Sequence, residues 1–475
     1  MVVLDATIVN IALPSAQRAL GISDSNRQWV ITAYTIAFGG LLLFGGRIAD
    51  LAGRKRTFII GLIGFAGASA LGGAAVNAGM LFGARALQGA FGALLAPSAL
   101  SLLAVTFTEA KERAQAFGIF SAIAGAGGGI GLLLGGVLTE YLNWRWALFV
   151  NIIFAVAAVI GAIAFIKEPE EARNHSGLDI PGVVLATLGL VSLVYGFTRA
   201  ETSGWAAGST LALFVAAAVL LIAFVVVEGR VKAPLLPLRV VTERNRGGAY
   251  ASLALAIIGM FGLFLFLTYY MQTVRGYSPL LTGVAFLPMV GALIVGSTQI
   301  GARLMTRVAP RLLMGPGFLF ATAAMLLLTQ LKVDSSYAGL ILPAELLLGI
   351  GMGTAFTPAM SLATHGVQPQ DAGVASAMIN TSQQVGGSIG TALLNTIAAS
   401  STATWLASHG GNRALANQAA VHGYATAIGW AAGILALAAL VAITAITTSR
   451  LSNPEVVIVG GAEGAEEVAV PAIAL

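Results

Sequence analysis

The chain has 475 residues, of which 57% are hydrophobic and only 9% are charged, with a net charge of +5 and no cysteine. Soluble globular domains carry about 25% charged residues, so this composition indicates a helical protein with many membrane spans. The lack of cysteine excludes disulfides, iron–sulfur clusters and zinc–thiolate sites, and no basic run is long enough to follow a nucleic-acid backbone.

Fourteen apolar runs are candidate helices, and most reach the roughly 20 residues that a membrane-spanning helix needs. In chain order they cover residues 1–17, 27–45, 57–76, 80–105, 114–138, 146–166, 178–198, 208–227, 247–271, 279–302, 311–331, 337–364, 372–398 and 421–447. The first run is too short to span, and we expect the front half of this helix to lie upstream. Lys and Arg concentrate in one set of alternate loops, which places those loops and both termini in the cytoplasm by the positive-inside rule.

The stretch 45–56 (GGRIADLAGRKR) places five charges and three glycines between the second and third apolar runs. We expect a tight basic hairpin at a membrane face, in which glycines allow the turn. Asp50 would lie at the positive end of the next helix and pair with the neighbouring arginines. A plain positive-inside loop is the alternative.

An internal repeat divides the chain. Residues 127–131 (GGGIG) match residues 386–390 (GGSIG), and each copy lies one helix before the end of a set of six. The predicted fold is therefore an all-α polytopic membrane protein with two related six-helix bundles. The bundles cover 1–166 and 247–447, two inserted helices lie within 167–246, and a tail at 448–475 is expected to be disordered. Two such bundles around a midplane site are typical of transporters that alternate access.

Three charged side chains stand out because they lie well within apolar runs, where charge is costly and is usually functional. Asp5 and Glu345 are carboxyls that could load and release a proton in an apolar cavity, and Arg85 is a permanent cation that could modulate a carboxylate. The alternatives are a solvated Asp5 near the terminus, an Arg85 that reaches the outer face, and a structural, hydrogen-bonded Glu345.

Other motifs in the sequence argue against nucleotide binding and metal binding. The glycine-rich segment 125–136 does not follow a strand and lacks the Gly-x-Gly-x-x-Gly spacing, so it indicates close helix packing and not a dinucleotide loop. No phosphate-binding loop of an ATP-driven motor occurs. The four histidines fall in loops or at helix ends, where we interpret them as surface residues and not as metal ligands. They are His175, His365, His409 and His422.

Four segments occur in an order and at a spacing that resemble those of a known transporter family, and they cover residues 4–14, 46–55, 85–89 and 127–136. The family is the fourteen-helix drug:proton antiporters of the major facilitator superfamily, the multidrug exporters of the EmrB/QacA type. The resemblance implies that Asp5 is the proton site and that Arg85 couples to it. The residues implied to latch one conformation are Gly46, Asp50, Gly53, Arg54 and Lys55. The glycines of the implied antiporter motif are Gly127, Gly131, Gly135 and Gly136. Weaker candidates for substrate contact are Glu345, Asn10, Gln88, Tyr34 and Phe356.

Two positions depart from the family pattern. Leu132 stands where the antiporter motif normally has proline, and Leu51 stands where the latch motif usually has a basic residue. The first departure weakens the inference of export over uptake.

The expected function is proton-coupled export of small amphipathic compounds across a bacterial cytoplasmic membrane. The proton gradient supplies the energy, so we expect no cofactor and no metal, and we expect a monomer in the lipid bilayer. A dedicated exporter of one metabolite, antibiotic, siderophore or lipid is the main alternative. An enzyme acting on lipids would need a cluster of His, Asp or Ser at a membrane face, which the sequence does not present, and the buried charges argue against a non-transporting scaffold.

Overall fold

A computed structural model describes residues 1–23, 26, 29–166 and 177–448, and these residues form helices and short connections without a β-strand. In chain order the helices are α1 (Val2–Leu20), α2 (Trp29–Ala52), α3 (Arg54–Gly73), α4 (Ala78–Thr106), α5 (Ala110–Tyr141), α6 (Trp146–Phe165), α7 (Ile180–Ser203), α8 (Gly208–Glu228), α9 (Leu238–Thr242), α10 (Arg244–Tyr269), α11 (Pro279–Ala285), α12 (Leu287–Val295), α13 (Ala302–Leu304), α14 (Arg311–Leu328), α15 (Leu342–Ala363), α16 (Ala372–Ser408) and α17 (Ala416–Ala445). The predicted disordered tail and His175 lie outside the described residues.

Helical structure follows from the apolar composition, because a chain inside lipid must satisfy its backbone polar groups within each segment. Side-chain caps define several helix starts. Asn77 accepts a hydrogen bond from the Met80 amide at 2.9 Å, and Asp179 accepts one from the Gly182 amide at 2.9 Å, so each satisfies an amide in the first turn of its helix.

Twelve helical stretches among the described residues are long and apolar enough to cross a membrane. Three of them include π-helical turns, which extend α10 to Val274, join α12 to α13, and lead into α15 from Tyr337. The helices α1 and α16 are not among the twelve, since α1 carries Asp5 and Arg18 and α16 carries many amide and hydroxyl side chains. The count of fourteen spans stays a prediction.

The helices pack in two groups, α1–α6 and α10–α17. The groups meet where α16 packs on α2 and α4, and where α5 packs on α11, α12 and α15. The helices α7 and α8 pack on each other, and α7 also lies against α2 and α16. The outer surface of α8 is apolar and exposed, as expected for a helix that faces lipid.

The predicted loop at 45–56 is wrong in its extent. The helix α2 continues through Ala52 and α3 begins at Arg54, so only Gly53 separates them. Gly53 has a φ of 96°, a conformation that side-chain-bearing residues rarely adopt. The sharp turn at one glycine keeps the charged side chains on helices, where they are held at fixed positions.

Candidate functional site

Asp5 lies at the centre of a fully buried polar cluster. Its carboxylate accepts hydrogen bonds from Arg85 Nη1 at 2.6 Å, from Asn151 Nδ2 at 2.7 Å and from Gln88 Nε2 at 3.1 Å. Asp5, Gln88 and Asn151 are 0% exposed and Arg85 is 1% exposed. The cluster therefore joins α1, α4 and α6 deep inside the first helix group.

Four helices besides α1 position these side chains. Arg85 and Gln88 lie three residues apart on α4, which places them on one face so that both reach Asp5. Arg85 also donates from Nε to the carbonyl of Val30 at 3.0 Å, and Gln88 donates to Ser69 Oγ at 2.6 Å. The ring of Tyr34 on α2 lies under the guanidinium, with 4.4 Å between Arg85 Cζ and the ring centroid.

The cluster is a carboxylate balanced by one permanent cation in a site without water-exposed atoms. Removal of one partner of such a buried pair costs about 3–5 kcal/mol, because the other charge is left uncompensated. Protonation of Asp5 would remove the negative charge in the same way and loosen its hold on Arg85. The arrangement can thus convert the arrival of a proton into a change in how α1 packs on α4.

The predicted substrate contacts Gln88 and Tyr34 belong to this cluster. Asn10 is exposed and Phe356 is buried at 8% exposure in the other helix group, so the structure does not bring these candidates together with Asp5. Sequence reasoning missed Ser69 and Asn151, because neutral polar residues in an apolar run carry no signal until a charged partner is placed beside them.

The glycines of the predicted antiporter motif differ in their surroundings. A Cβ at Gly131 would overlap the Thr7 hydroxyl, and one at Gly135 would lie 3.1 Å from the Ile8 Cα, so both positions hold α5 close to α1. Gly127 faces Val3 at ordinary contact distance, while Gly136 has nothing within 4 Å. The packing role therefore fits Gly131 and Gly135 and does not extend to Gly136.

Asp50 forms a second buried site, between the two helix groups. Its carboxylate accepts from Arg54 Nη2 at 2.7 Å, from the Gly373 amide at 2.8 Å and from the Val374 amide at 3.1 Å. The amides belong to the first turn of α16, whose helix dipole favours a carboxylate there. The expectation that Asp50 lies at the start of the next helix, α3, is wrong, because Asp50 belongs to α2 and caps α16 instead.

Other contacts reinforce this junction, which we call the latch (Asp50, Arg54 and residues 369–374). Arg54 donates to the Pro369 carbonyl, and a Cβ at Gly46 would lie only 2.5 Å from the Gly373 carbonyl oxygen. Nearby, Lys55 donates to the Ile166 carbonyl at 2.6 Å and so caps the end of α6. Of the predicted latch residues, Gly46, Asp50 and Arg54 thus lie at one close helix crossing, whereas Lys55 contacts the end of α6.

Arg113 ties the two groups together at a further point, which the sequence reasoning missed. It donates from Nη2 to Thr364 Oγ1 at 2.6 Å and from Nη1 to the Ala104 carbonyl at 3.0 Å. The adjacent His365 is partly buried, which corrects its assignment as a surface residue. Burial and the nearby Arg113 and Arg246 cations lower the pKa of His365 to about 4.

Glu345 lies away from both sites, fully buried in α15 and in contact with Tyr337. The described residues contain no group of three His, Cys, Asp or Glu side chains that could hold a metal ion.

Comparison with known proteins identifies the family to which this chain belongs. The family model described as Major Facilitator Superfamily matches residues 1–391. The chain belongs to the major facilitator superfamily. This superfamily is made of transporters, so the prediction of a multi-pass membrane transporter is confirmed.

Two relatives of the chain are named for resistance to an antibiotic or for export of one. The chain is 52% identical to the puromycin resistance protein pur8 of Streptomyces alboniger over 93% of this chain and 88% of that protein. It is 39% identical to the cephamycin export protein CmcT of Amycolatopsis lactamdurans over 87% of this chain and 86% of that protein. The chain also superposes on the crystal structure of the human organic anion transporter MFSD10 (TETRAN) with a TM-score of 0.63, over 93% of this chain and 96% of that chain. The two sequences are 15% identical, so this likeness supports the fold alone.

Proposed function

We propose that this chain exports a small antibiotic-like molecule across the bacterial cytoplasmic membrane in exchange for protons. The buried cluster of Asp5 and Arg85 is the observation that carries the proposal, since a membrane interior retains such a costly charge pair mainly where a function needs it. Resistance and export proteins among the relatives support the class of cargo.

In this proposal Asp5 exchanges the driving proton. While Asp5 is ionised, its carboxylate holds Arg85, Gln88 and Asn151 and fixes α1 against α4 and α6. A proton that reaches Asp5 weakens this hold, and the glycine contacts at Gly131 pass the movement of α1 to α5. Because α5 also packs on the second helix group, the shift changes how the groups meet.

The latch closes one end of the pathway. We assign that end to the cytoplasm because the loops around it carry most of the Lys and Arg residues. Asp5 would then receive its proton from the outer side, and release of the latch would open the cytoplasmic side to cargo. Alternating access of this kind needs the latch to be stable and reversible.

A dedicated exporter of one compound is the second candidate, and the names of three relatives support it, whereas a relative that is 31% identical is the multidrug resistance protein Stp of Mycobacterium tuberculosis. The names of the two relatives described above each refer to a single antibiotic, and a third, 33% identical, is a tetracenomycin C resistance and export protein of Streptomyces glaucescens. Transport of several unrelated dyes would support the broad pump and exclude the dedicated one.

The test is puromycin accumulation in a bacterial strain without its own efflux pumps. Cells that express the chain should accumulate less puromycin than cells with an empty vector, and a protonophore should abolish the difference. Unrelated dyes and a cephamycin form the comparison panel. Well-inserted protein that exports none of these compounds would contradict the proposed cargo class, and export that survives the protonophore would contradict proton coupling.

A further inference from the structure

Glu345 is the one ionisable side chain of α15, and neither the Asp5 cluster nor the latch uses it. It is 0% exposed, and its Oε1 has no hydrogen-bond partner among the described residues. Arg85 lies 12 residues before Pro97 on α4 (97 − 85), and Glu345 lies 13 residues before Pro358 on α15 (358 − 345). The two helix groups therefore place an ionisable side chain at comparable depth.

The hydrogen bonds around Tyr337 indicate which form of Glu345 is present. The Tyr337 hydroxyl lies 2.6 Å from the Ala285 carbonyl oxygen and 3.2 Å from Glu345 Oε2. A tyrosine hydroxyl has one hydrogen, and the carbonyl can only accept. If Tyr337 donates to Ala285 at the shorter distance, its oxygen can accept a hydrogen bond from Glu345 only when the carboxyl carries a proton.

No charge nearby would stabilise the ionised carboxyl. Among the helices packed against α15, α12 and α16 contain no Asp, Glu, Lys, Arg or His. The helix α13 carries only Arg303, α14 carries only Arg311 at its first residue, and the charged residues of α5 and α10 lie at the helix ends. None of these residues forms an ion pair with Glu345 in the part of the chain that the structure describes. The titratable groups that face the site are Tyr337 and, beyond it, Tyr277. Burial of an isolated carboxylate in such surroundings costs far more free energy than burial of the neutral acid.

We propose that Glu345 is a second proton-binding site, occupied in this conformation and emptied in each transport cycle. The inference rests on the proposed function and adds to it that two carboxyls, one in each helix group, exchange protons. The step is a proton transfer: the O–H bond of the Glu345 carboxyl breaks when the opposite face opens, the proton leaves to water, and an outside proton restores the acid. Asp5 differs because it keeps Arg85 as a permanent counter-ion.

The test is the number of protons exchanged for each substrate molecule by the full-length chain in proteoliposomes. Puromycin accumulation at steady state is measured at a series of pH gradients, with the membrane potential clamped to zero by valinomycin and potassium. The logarithm of the accumulation ratio then rises with the pH gradient, with a slope equal to the number of protons exchanged. We expect a slope of about two for the wild type and of about one for Glu345→Gln, because each carboxyl carries one proton.

The outcomes separate this inference from the proposed function. A wild-type slope of zero overturns proton coupling itself. A positive slope that Glu345→Gln leaves unchanged overturns the proton role of Glu345 and makes it a structural, hydrogen-bonded acid. The amide of glutamine can still donate to the Tyr337 oxygen, so this variant keeps the contact while it removes the titration.

A spectroscopic measurement covers the case in which Glu345→Gln does not insert. Infrared spectra of the purified protein detect the carbonyl stretch of an un-ionised carboxyl in an apolar site. Tyr337→Phe keeps Glu345 but removes its hydrogen-bond partner, so we expect this band to shift to higher frequency. A spectrum identical to that of the wild type would overturn the inference.

Discussion

The crossing of α2 and α16 at the latch gives a sharp prediction for Gly46→Ala. The new methyl group would lie 2.5 Å from the Gly373 carbonyl oxygen and 2.6 Å from the Ala377 Cβ, and neither neighbour is a flexible side-chain end. Overpacking of this kind costs about 1–3 kcal/mol. Because the contact exists only while the latch is closed, we expect the closed conformation to lose roughly 5- to 150-fold in population against the open one.

Thiol labelling can test this prediction, because the chain has no native cysteine that would react as well. Ser376→Cys introduces one thiol three residues after Gly373 on α16, hence on the face toward α2. Ser376 is fully buried and its hydroxyl has no hydrogen-bond partner among the described residues, so the replacement removes no contact. A membrane-impermeant maleimide added to inside-out vesicles should label this thiol at least several-fold faster in Gly46→Ala than in the parent.

Gly67→Ala on α3 is the matched control. It makes the same chemical change inside a helix, but a Cβ at Gly67 meets nothing within 4 Å. We expect it to leave the labelling rate unchanged. Equal labelling rates in Gly46→Ala and Gly67→Ala would refute the reasoning, since the close approach at Gly46 would then have no part in holding the latch closed.

Two further predictions follow from contacts elsewhere. Gly131→Ala would place a methyl group on the Thr7 hydroxyl, so we expect this variant to abolish puromycin export at normal expression. In Gly136→Ala the new methyl group would meet nothing within 4 Å, so this variant should export normally. Equal activity of the two variants would contradict the packing role of Gly131. The pKa of His365 is lowered from 6.5 to about 4 by burial and by Arg113 and Arg246, so the folded protein binds this proton less tightly than the unfolded chain and loses stability as the pH falls from 6.5 toward 4. The melting temperature in detergent should therefore fall less over that range in His365→Gln than in the wild type, and equal falls would show that His365 does not contribute.

The sequence alone was sufficient for the parts of the account that depend on composition and spacing. Apolar runs predicted helices, and the isolated charges Asp5 and Arg85 stood out because so few charges occur in the spans. Their direct pairing was not predicted, since 80 residues separate them and only the packing of α1 on α4 brings them together. For the same reason Asn151 could not be assigned from the sequence.

The latch also shows that a sequence does not identify partners that are distant along the chain. The sequence marked Asp50 as a carboxylate that a helix N-terminus would stabilise, which is correct chemistry, but it assigned the neighbouring helix. The true partner, the start of α16, lies more than 300 residues further along the chain. The local sequence identifies which polar group needs a partner, but only the tertiary packing determines which residue becomes that partner.

The central claim is that Asp5 exchanges the proton that drives export, and Asp5→Asn in inside-out vesicles tests it directly. We predict that an imposed pH gradient, acidic inside, drives puromycin accumulation in the wild type and not in Asp5→Asn, while downhill exchange of puromycin persists and shows that the variant is folded. Asp179→Asn, which changes another buried carboxyl outside the cluster, should accumulate puromycin as the wild type does. Accumulation by Asp5→Asn at the wild-type level would contradict the account.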